Sequence, residues 1–208
     1  SVEETWKNGV EDGASTMWHD NGLKQFEATY KDGEINGLVN CAGVSYVNDL
    51  FEYTDEDWDN TYQVNLKAPY ELSRKVAKYM KKKGGSIINI TSLNSELGFP
   101  NNPAYVSTKG GLKQLTKSLA VDLGKYNIRV NTISPGPVMT PLTDQLRNDK
   151  LWNEAYTTKP ALQRWAQPNE LAGGIIYLLS DASSYVTATN LIIDAGWINV
   201  DGRFNPNI

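Results

Sequence analysis

Residues 86–109, SIINITSLNSELGFPNNPAYVSTK, decide the fold. The first six form a nearly continuous apolar run of strand length, the pattern of a strand covered on both faces within a parallel sheet. Such a strand delivers Ser92 to its carboxyl end. After Pro103 a long helix is expected, with Leu112, Leu115, Leu119 and Leu123 as an apolar stripe. Tyr105 and Lys109 lie four apart on it, so their side chains project from one face, one turn from each other. A lysine ammonium held near a phenol favours the phenolate. It draws the tyrosine pKa down from about 10 toward working pH, as a general acid/base requires.

Outward from this stretch the texture is α/β. Residues 37–40 read as a short buried strand running into Cys41-Ala42-Gly43, where small residues permit a tight turn. A helix start follows at Thr54-Asp55-Glu56-Asp57, with acidic residues in its first turn and Trp58, Tyr62 and Leu66 on one face. Pro69 marks a break or a fresh start. The next helix carries Leu72, Val76, Tyr79 and Met80 and ends at Lys81-Lys82-Lys83 before Gly84-Gly85, a basic cluster beside a glycine stop. A further strand is expected at 128–134, ending at Pro135-Gly136-Pro137. Residues 141–165 are polar and aromatic without a clean period and read as a mobile substrate-side excursion. A helix from about Pro168 to Leu179 and a strand at 191–194 complete an alternation that implies a parallel sheet with helices on both faces.

Residues 1–37 differ. Asn8-Gly9, Asp12-Gly13, Asn21-Gly22, Asp32-Gly33 and Asn36-Gly37 are dipeptides suited to hairpin turns. TWKNGVEDGA from Thr5 matches TYKDGEINGL from Thr29 at an offset of 24, the mark of a stacked unit. The segment resembles the MORN-like repeats of bacterial antitoxin-type proteins. Leu23, Phe26 and Tyr30 also fit a helix over 23–31, but the turn dipeptides and the repeat together favour hairpins. Two units are expected, a hairpin repeat at 1–37 and an α/β part at 38–208.

The chain has 208 residues and a net charge of −4, which offers no electrostatic case for nucleic acid or an anionic membrane. No run reaches the length of a membrane span and the amino terminus lacks a signal pattern, so a cytoplasmic protein is expected. One cysteine, Cys41, excludes an intrachain disulfide and a multi-cysteine metal site, and no metal is expected. One histidine, His19, in a turn-rich segment, leaves serine or cysteine hydrolysis without a base at hand.

From Gly37 to Trp197 the chain resembles the short-chain dehydrogenase/reductase family, in the family's own order. Asn40-Cys41-Ala42-Gly43 is similar to its Asn-Asn-Ala-Gly strand end, with Cys41 in place of the second asparagine. Asn65 stands where the family keeps a helix asparagine, Ser92 where it keeps a catalytic serine, and Tyr105 with Lys109 match its Tyr-x-x-x-Lys. Pro135-Gly136 with Val138 and Thr140 resemble its nicotinamide-side loop, and YVTATNLIIDAGW from Tyr185 its closing strand. The resemblance implies a Rossmann-like doubly wound sheet and hydride transfer between NAD or NADP and a small carbonyl or alcohol substrate. It implies Tyr105 as acid/base, Lys109 as the group that tunes it and holds the nicotinamide ribose, Ser92 as a hydrogen-bond partner of the substrate oxygen, and Asn65 in a water-mediated path to Lys109. Asn40, Ala42, Gly43, Pro135, Gly136, Val138 and Thr140 are the implied cofactor contacts. Association into a homo-oligomer through the two long helices is implied as well.

One family mark is missing. Thr-Gly-x-x-x-Gly-x-Gly, whose glycines let the backbone approach a pyrophosphate at a helix amino terminus, is absent. A strand-helix-strand unit needs about 30 residues, and only 37 precede Leu38. The expectation is an incomplete Rossmann-like sheet that binds NAD(P) weakly or not at all, hence an impaired oxidoreductase. The alternative is a degenerate dehydrogenase or repeat fusion kept as a binding module.

Overall fold

The computed structural model describes residues 34–200 in full and, ahead of them, the backbones of the strands at 2–7, 10–18 and 24–31. Seven strands make one sheet in sequential order: β1 (Val2–Lys7), β2 (Val10–Trp18), β3 (Lys24–Lys31), β4 (Glu34–Asn40), β5 (Gly85–Ile90), β6 (Ile128–Pro135) and β7 (Asn190–Ile193). β1 to β4 pair antiparallel, and β4 to β7 pair parallel. β4 is the pivot, with Thr29 of β3 opposite Gly37 on one edge and Ile87 of β5 opposite Leu38 on the other.

Helices α1 (Asp55–Tyr62), α2 (Ala68–Met80), α3 (Pro103–Leu123), α4 (Asp144–Asn148), α5 (Lys150–Thr158) and α6 (Ala172–Leu179) complete the described elements. Leu38, Ile87 and Val130 pack on one face of the sheet with Ala77 and Met80 of α2 and Leu119 and Ala120 of α3. Val39, Ile88 and Ile133 pack on the other with Leu178 of α6. Adjacent residues of one strand therefore both reach a core, which is why the run at 86–90 shows no alternation. Each of these fully buried aliphatic side chains contributes about 1.5 to 3 kcal/mol. The sheet face under α2 and α3 also holds a polar seam: Asn40 donates to Asn89 Oδ1 at 2.7 Å and Ser73 Oγ at 3.1 Å, and Asn89 donates to Thr116 Oγ1 at 2.8 Å.

The structure departs from the sequence reading in several places. Pro69 does not break the chain: α1 runs through a π-helical turn, Gln63–Lys67, straight into α2, whose first turn holds the proline. Trp58 and Tyr62 do not form a buried face, being 42% and 44% exposed. The same holds for Tyr79, at 72%. Residues 141–165 are not an irregular excursion but contain α4 and α5, the latter capped by Asp149, whose carboxylate accepts from Leu151 and Trp152 N–H.

Asp12-Gly13 lies inside β2 and Asn36-Gly37 inside β4, so neither is a hairpin turn. Residues 24–31 are a strand, not a helix. The boundary expected at 37/38 also falls within β4. The other three turn dipeptides and His19 lie outside the described residues. The glycine stop after α2 is as expected: Gly84, at φ +81°, donates to Met80 O at 2.8 Å, and a Cβ there would stand 2.6 Å from Asn127 O.

Candidate active site

The carboxyl ends of β4, β5 and β6 open onto a cleft of about 610 Å³. Ser92 follows β5 in extended backbone and caps a 3₁₀ turn at Leu93–Ser95, its Oγ accepting from Asn94 N–H. Behind it, Thr91 Oγ1 and Ser134 Oγ lie 2.7 Å apart, and Ser95 Oγ donates to Ser92 O at 2.7 Å, so hydroxyls hold the strand end in place. Tyr105 stands in the first turn of α3, with its phenol near enough to the Ser92 side chain to feel its hydroxyl. Both line the cleft.

One turn on, Lys109 is only 3% exposed. Its Nζ donates to the Ile90 carbonyl at 2.9 Å and sits 5.5 Å from the centre of the Tyr105 ring. Burial pushes the Lys109 ammonium down to about 8, with the Cys41 thiol acting weakly the other way. It is still mostly charged at neutral pH. Tyr105 behaves differently from the sequence expectation. Part of its side chain remains open to the cleft, yet burial raises the phenol above the ordinary tyrosine value and the Ser92 hydroxyl only partly offsets this. In this structure desolvation wins over the neighbouring ammonium, which is turned toward Ile90 O. Tyr105 is therefore a neutral phenol at pH 7.

Asn65, fully buried in the π-helical turn, clamps the chain after β4: its Oδ1 accepts from Val44 N–H at 2.9 Å and its Nδ2 donates to Val44 O at 2.8 Å. A π-turn at such a position commonly marks a functional site. An α-helix would satisfy the Asn65 carbonyl from residue 69, and Pro69 has no N–H to give.

The remaining sequence candidates divide. Pro135 and Gly136 line the cleft. Gly136 packs against β7's end so closely that a Cβ would stand 2.6 Å from Asp194 Cα. Val138 and Thr140 are not cleft residues; they anchor the loop, through the Val138 to Ala166 bridge and the Thr140 to Thr143 turn. Ala42 and Gly43 follow β4, and a Cβ on Gly43 would lie 3.4 Å from Lys109 Nζ and 3.5 Å from Asn65 Oδ1. The Asn40 side chain does not face the cleft at all. It is spent in the polar seam with Ser73 and Asn89, because a strand-end amide on that face finds partners only in the core.

Sequence reasoning missed α5. Asp149, Trp152, Tyr156 and Lys159 all line the cleft, and their i, i+3, i+7, i+10 spacing was the available signal. Nine helical residues with a polar outer face are too few for the period to stand out.

A family profile described as Enoyl-(Acyl carrier protein) reductase matches residues 20–198. The chain belongs to the short-chain dehydrogenase/reductase family. That match takes in the second half of the segment read as a MORN-like repeat and lends the repeat resemblance no support. Uncharacterized oxidoreductase YgcW of Escherichia coli is 40% identical over 167 residues, which cover 80% of this chain and 64% of that protein. Gluconate 5-dehydrogenase of Gluconobacter oxydans is 33% identical over 203 residues, 89% of this chain and 79% of that one. A crystal structure of gluconate 5-dehydrogenase from Burkholderia cenocepacia, in complex with NADP and tartrate, superposes with a TM-score of 0.80 at 34% identity, over 81% of this chain and 67% of that one. The chain thus spans about two thirds of the length of several curated relatives, 64% and 66% for two from Escherichia coli.

The residues fit a nicotinamide cofactor at one end only. Gly43 leaves open the space beside Lys109 Nζ, whose one acceptor among the described residues, Ile90 O, leaves two N–H groups for a ribose diol. At the phosphate end the fit fails among the described residues. The strand beside β4 is the antiparallel β3, which presents its amino end where a parallel strand would turn into a phosphate-binding helix.

Proposed function

We propose that this chain is an NAD(P)-dependent oxidoreductase of carbonyl and alcohol substrates, with Ser92, Tyr105 and Lys109 as its catalytic residues. The observation that carries the reading is that Ser92 and Tyr105 line one cleft, with Lys109 Nζ 5.5 Å from the centre of the Tyr105 ring. When bound, the nicotinamide supplies or accepts the hydride. Ser92 Oγ orients the substrate oxygen. The neutral Tyr105 phenol gives that oxygen a proton as carbonyl becomes alcohol, so the resident protonation state suits reduction. Lys109, charged below about pH 8, stabilises the phenolate left behind, and Asn65 holds the β4 loop against it. Substrates of the class named for the relatives, sugar acids and small cyclic alcohols, suit the cleft's size. Self-association across α1 and α3, where Trp58, Tyr62 and Val121 stand exposed, belongs to the same reading.

The test is turnover of NADH or NADPH with 5-keto-D-gluconate and with cyclopentanone, in the parent chain and in Tyr105→Phe. Loss of the acid/base is expected to lower kcat roughly a hundredfold to ten-thousandfold with the fold intact. Equal rates in the two proteins would refute the assignment.

The antiparallel β3 favours a second reading, a chain without tight dinucleotide binding that acts as a binding module. Calorimetric titration with NADH and NADPH separates the two, since micromolar affinity for either excludes the second.

A further inference from the structure

α5 presents four residues to the cleft in one stripe, and two of them carry polar groups that the protein leaves unused. The Tyr156 ring is clamped by three tryptophans: it stacks on Trp165 at 5.0 Å and 6°, meets Trp197 at 5.0 Å, and lies 6.2 Å from Trp152. Trp165 is itself fixed by its Nε1 donating to Asn153 Oδ1 at 2.8 Å. Among the described residues nothing hydrogen-bonds the Tyr156 hydroxyl, although the ring that carries it has little freedom to move. Burial, with the nearby Tyr105 phenol adding to it, pushes it up to about 12, so it is a permanent donor at working pH.

One turn further along, Lys159 holds its ammonium 4.7 Å over the Trp197 ring. Among the described residues no carboxylate pairs with it, and it is the only cation of those that line the cleft. The only carboxylate there, Asp149, is occupied in capping α5 through Oδ1. Ten residues separate Asp149 from Lys159, about 15 Å along a helix. The two charges therefore mark opposite ends of the wall, and an anion at Lys159 is not repelled at close range.

We propose that this stripe selects a hydroxy- or keto-acid, with Lys159 binding its carboxylate and the Tyr156 hydroxyl an oxygen near the reacting carbon, a reading that rests on the carbonyl and alcohol chemistry assigned to Ser92 and Tyr105. A single ammonium matches a monoanion. A phosphate ester would call for a bidentate arginine or a helix amino terminus as well, and no arginine is among the described residues that line the cleft. The aromatic wall suits the C–H faces of a polyol chain, and the unpaired hydroxyl makes a purely apolar ketone a poor match because it would leave that donor unsatisfied.

The experiment compares D-gluconate with D-glucitol, which differ in the carboxylate, by calorimetric titration of the whole chain without added dinucleotide. The unaltered chain is expected to bind D-gluconate at least about tenfold more tightly, the size of a charge-assisted contact. Lys159→Met removes that preference and Lys159→Arg retains it. Tyr156→Phe weakens both ligands alike. Equal affinity for the two compounds, no measurable D-gluconate binding, or a preference that survives Lys159→Met each overturns the proposal. Turnover is not needed for the result. A chain that prefers D-gluconate through Lys159 but reduces nothing refutes only the redox reading, and one that reduces cyclopentanone without the preference refutes only this one.

Discussion

Lys109→Met, studied in a Cys41→Ser background that removes the neighbouring thiol's titration, tests whether the lysine is held buried and charged beneath the tyrosine. Burial lowers Lys109 from 10.5 to about 8. A drop of that size disfavours the charged form by about 3 kcal/mol. Below about pH 8 both folded and unfolded chains carry the proton, and the cost of the buried charge is fully present. Between there and the unfolded value the folded chain has released the proton while the unfolded chain keeps it. Unfolding then takes up a proton, and stability rises with pH, by about 2 kcal/mol between about pH 7 and about pH 9.5. Methionine cannot titrate, so the variant lacks this rise. At neutral pH it escapes the charge cost but forfeits the hydrogen bond to Ile90 O, worth about 1 to 3 kcal/mol, which leaves the two proteins within about 2 kcal/mol of each other. Urea unfolding followed by tryptophan fluorescence at both pH values measures the gap. It is expected to move by about 2 kcal/mol in favour of the lysine protein as pH rises. A gap that stays constant would refute the reasoning, because it would place the ammonium in water.

Two further outcomes follow from contacts around the site. Asn65→Ala strips Val44 of partners for both its N–H and its carbonyl and is expected to cost about 2 to 4 kcal/mol in urea unfolding, the loss falling mainly on the loop after β4. Gly136→Ala places a Cβ 2.6 Å from Asp194 Cα. Neither backbone can yield easily, since the Asp194 carboxylate also holds Gly196 and Ile198 N–H. A loss of about 1 to 3 kcal/mol in thermal unfolding is expected, with a changed near-ultraviolet signal from the cleft tryptophans.

Much of the parallel half was legible in the sequence. The run at 86–90, the α3 stripe from Leu112 to Leu123 and the glycine stop at Gly84 are local patterns, and local patterns follow from strand and helix periods and from backbone sterics that act at short range. The four-residue spacing of Tyr105 and Lys109 was equally secure, and the structure brings both to Ser92. What failed needed partners distant in the chain. The buried role of the Asn40 side chain shows only once Ser73 and Asn89 are placed beside it. The α5 stripe reads as noise until Trp165 and Trp197 fold against Tyr156.

Spacing on a helix is set by hydrogen bonds within that helix, so the sequence alone determined that a phenol and an ammonium share one face behind a strand-borne serine. Their protonation was decided by the tertiary structure. Desolvation depends on everything packed around a group, and here it leaves Tyr105 neutral, brings Lys109 to about 8 and turns its ammonium toward Ile90 O. The direction of the strand beside β4 was legible too, since only two residues lie between Lys31 and Glu34 and so short a connection joins antiparallel strands; that this edge continues the parallel sheet, with Gly37 opposite Ser86, was decided by pairing between residues far apart in the chain.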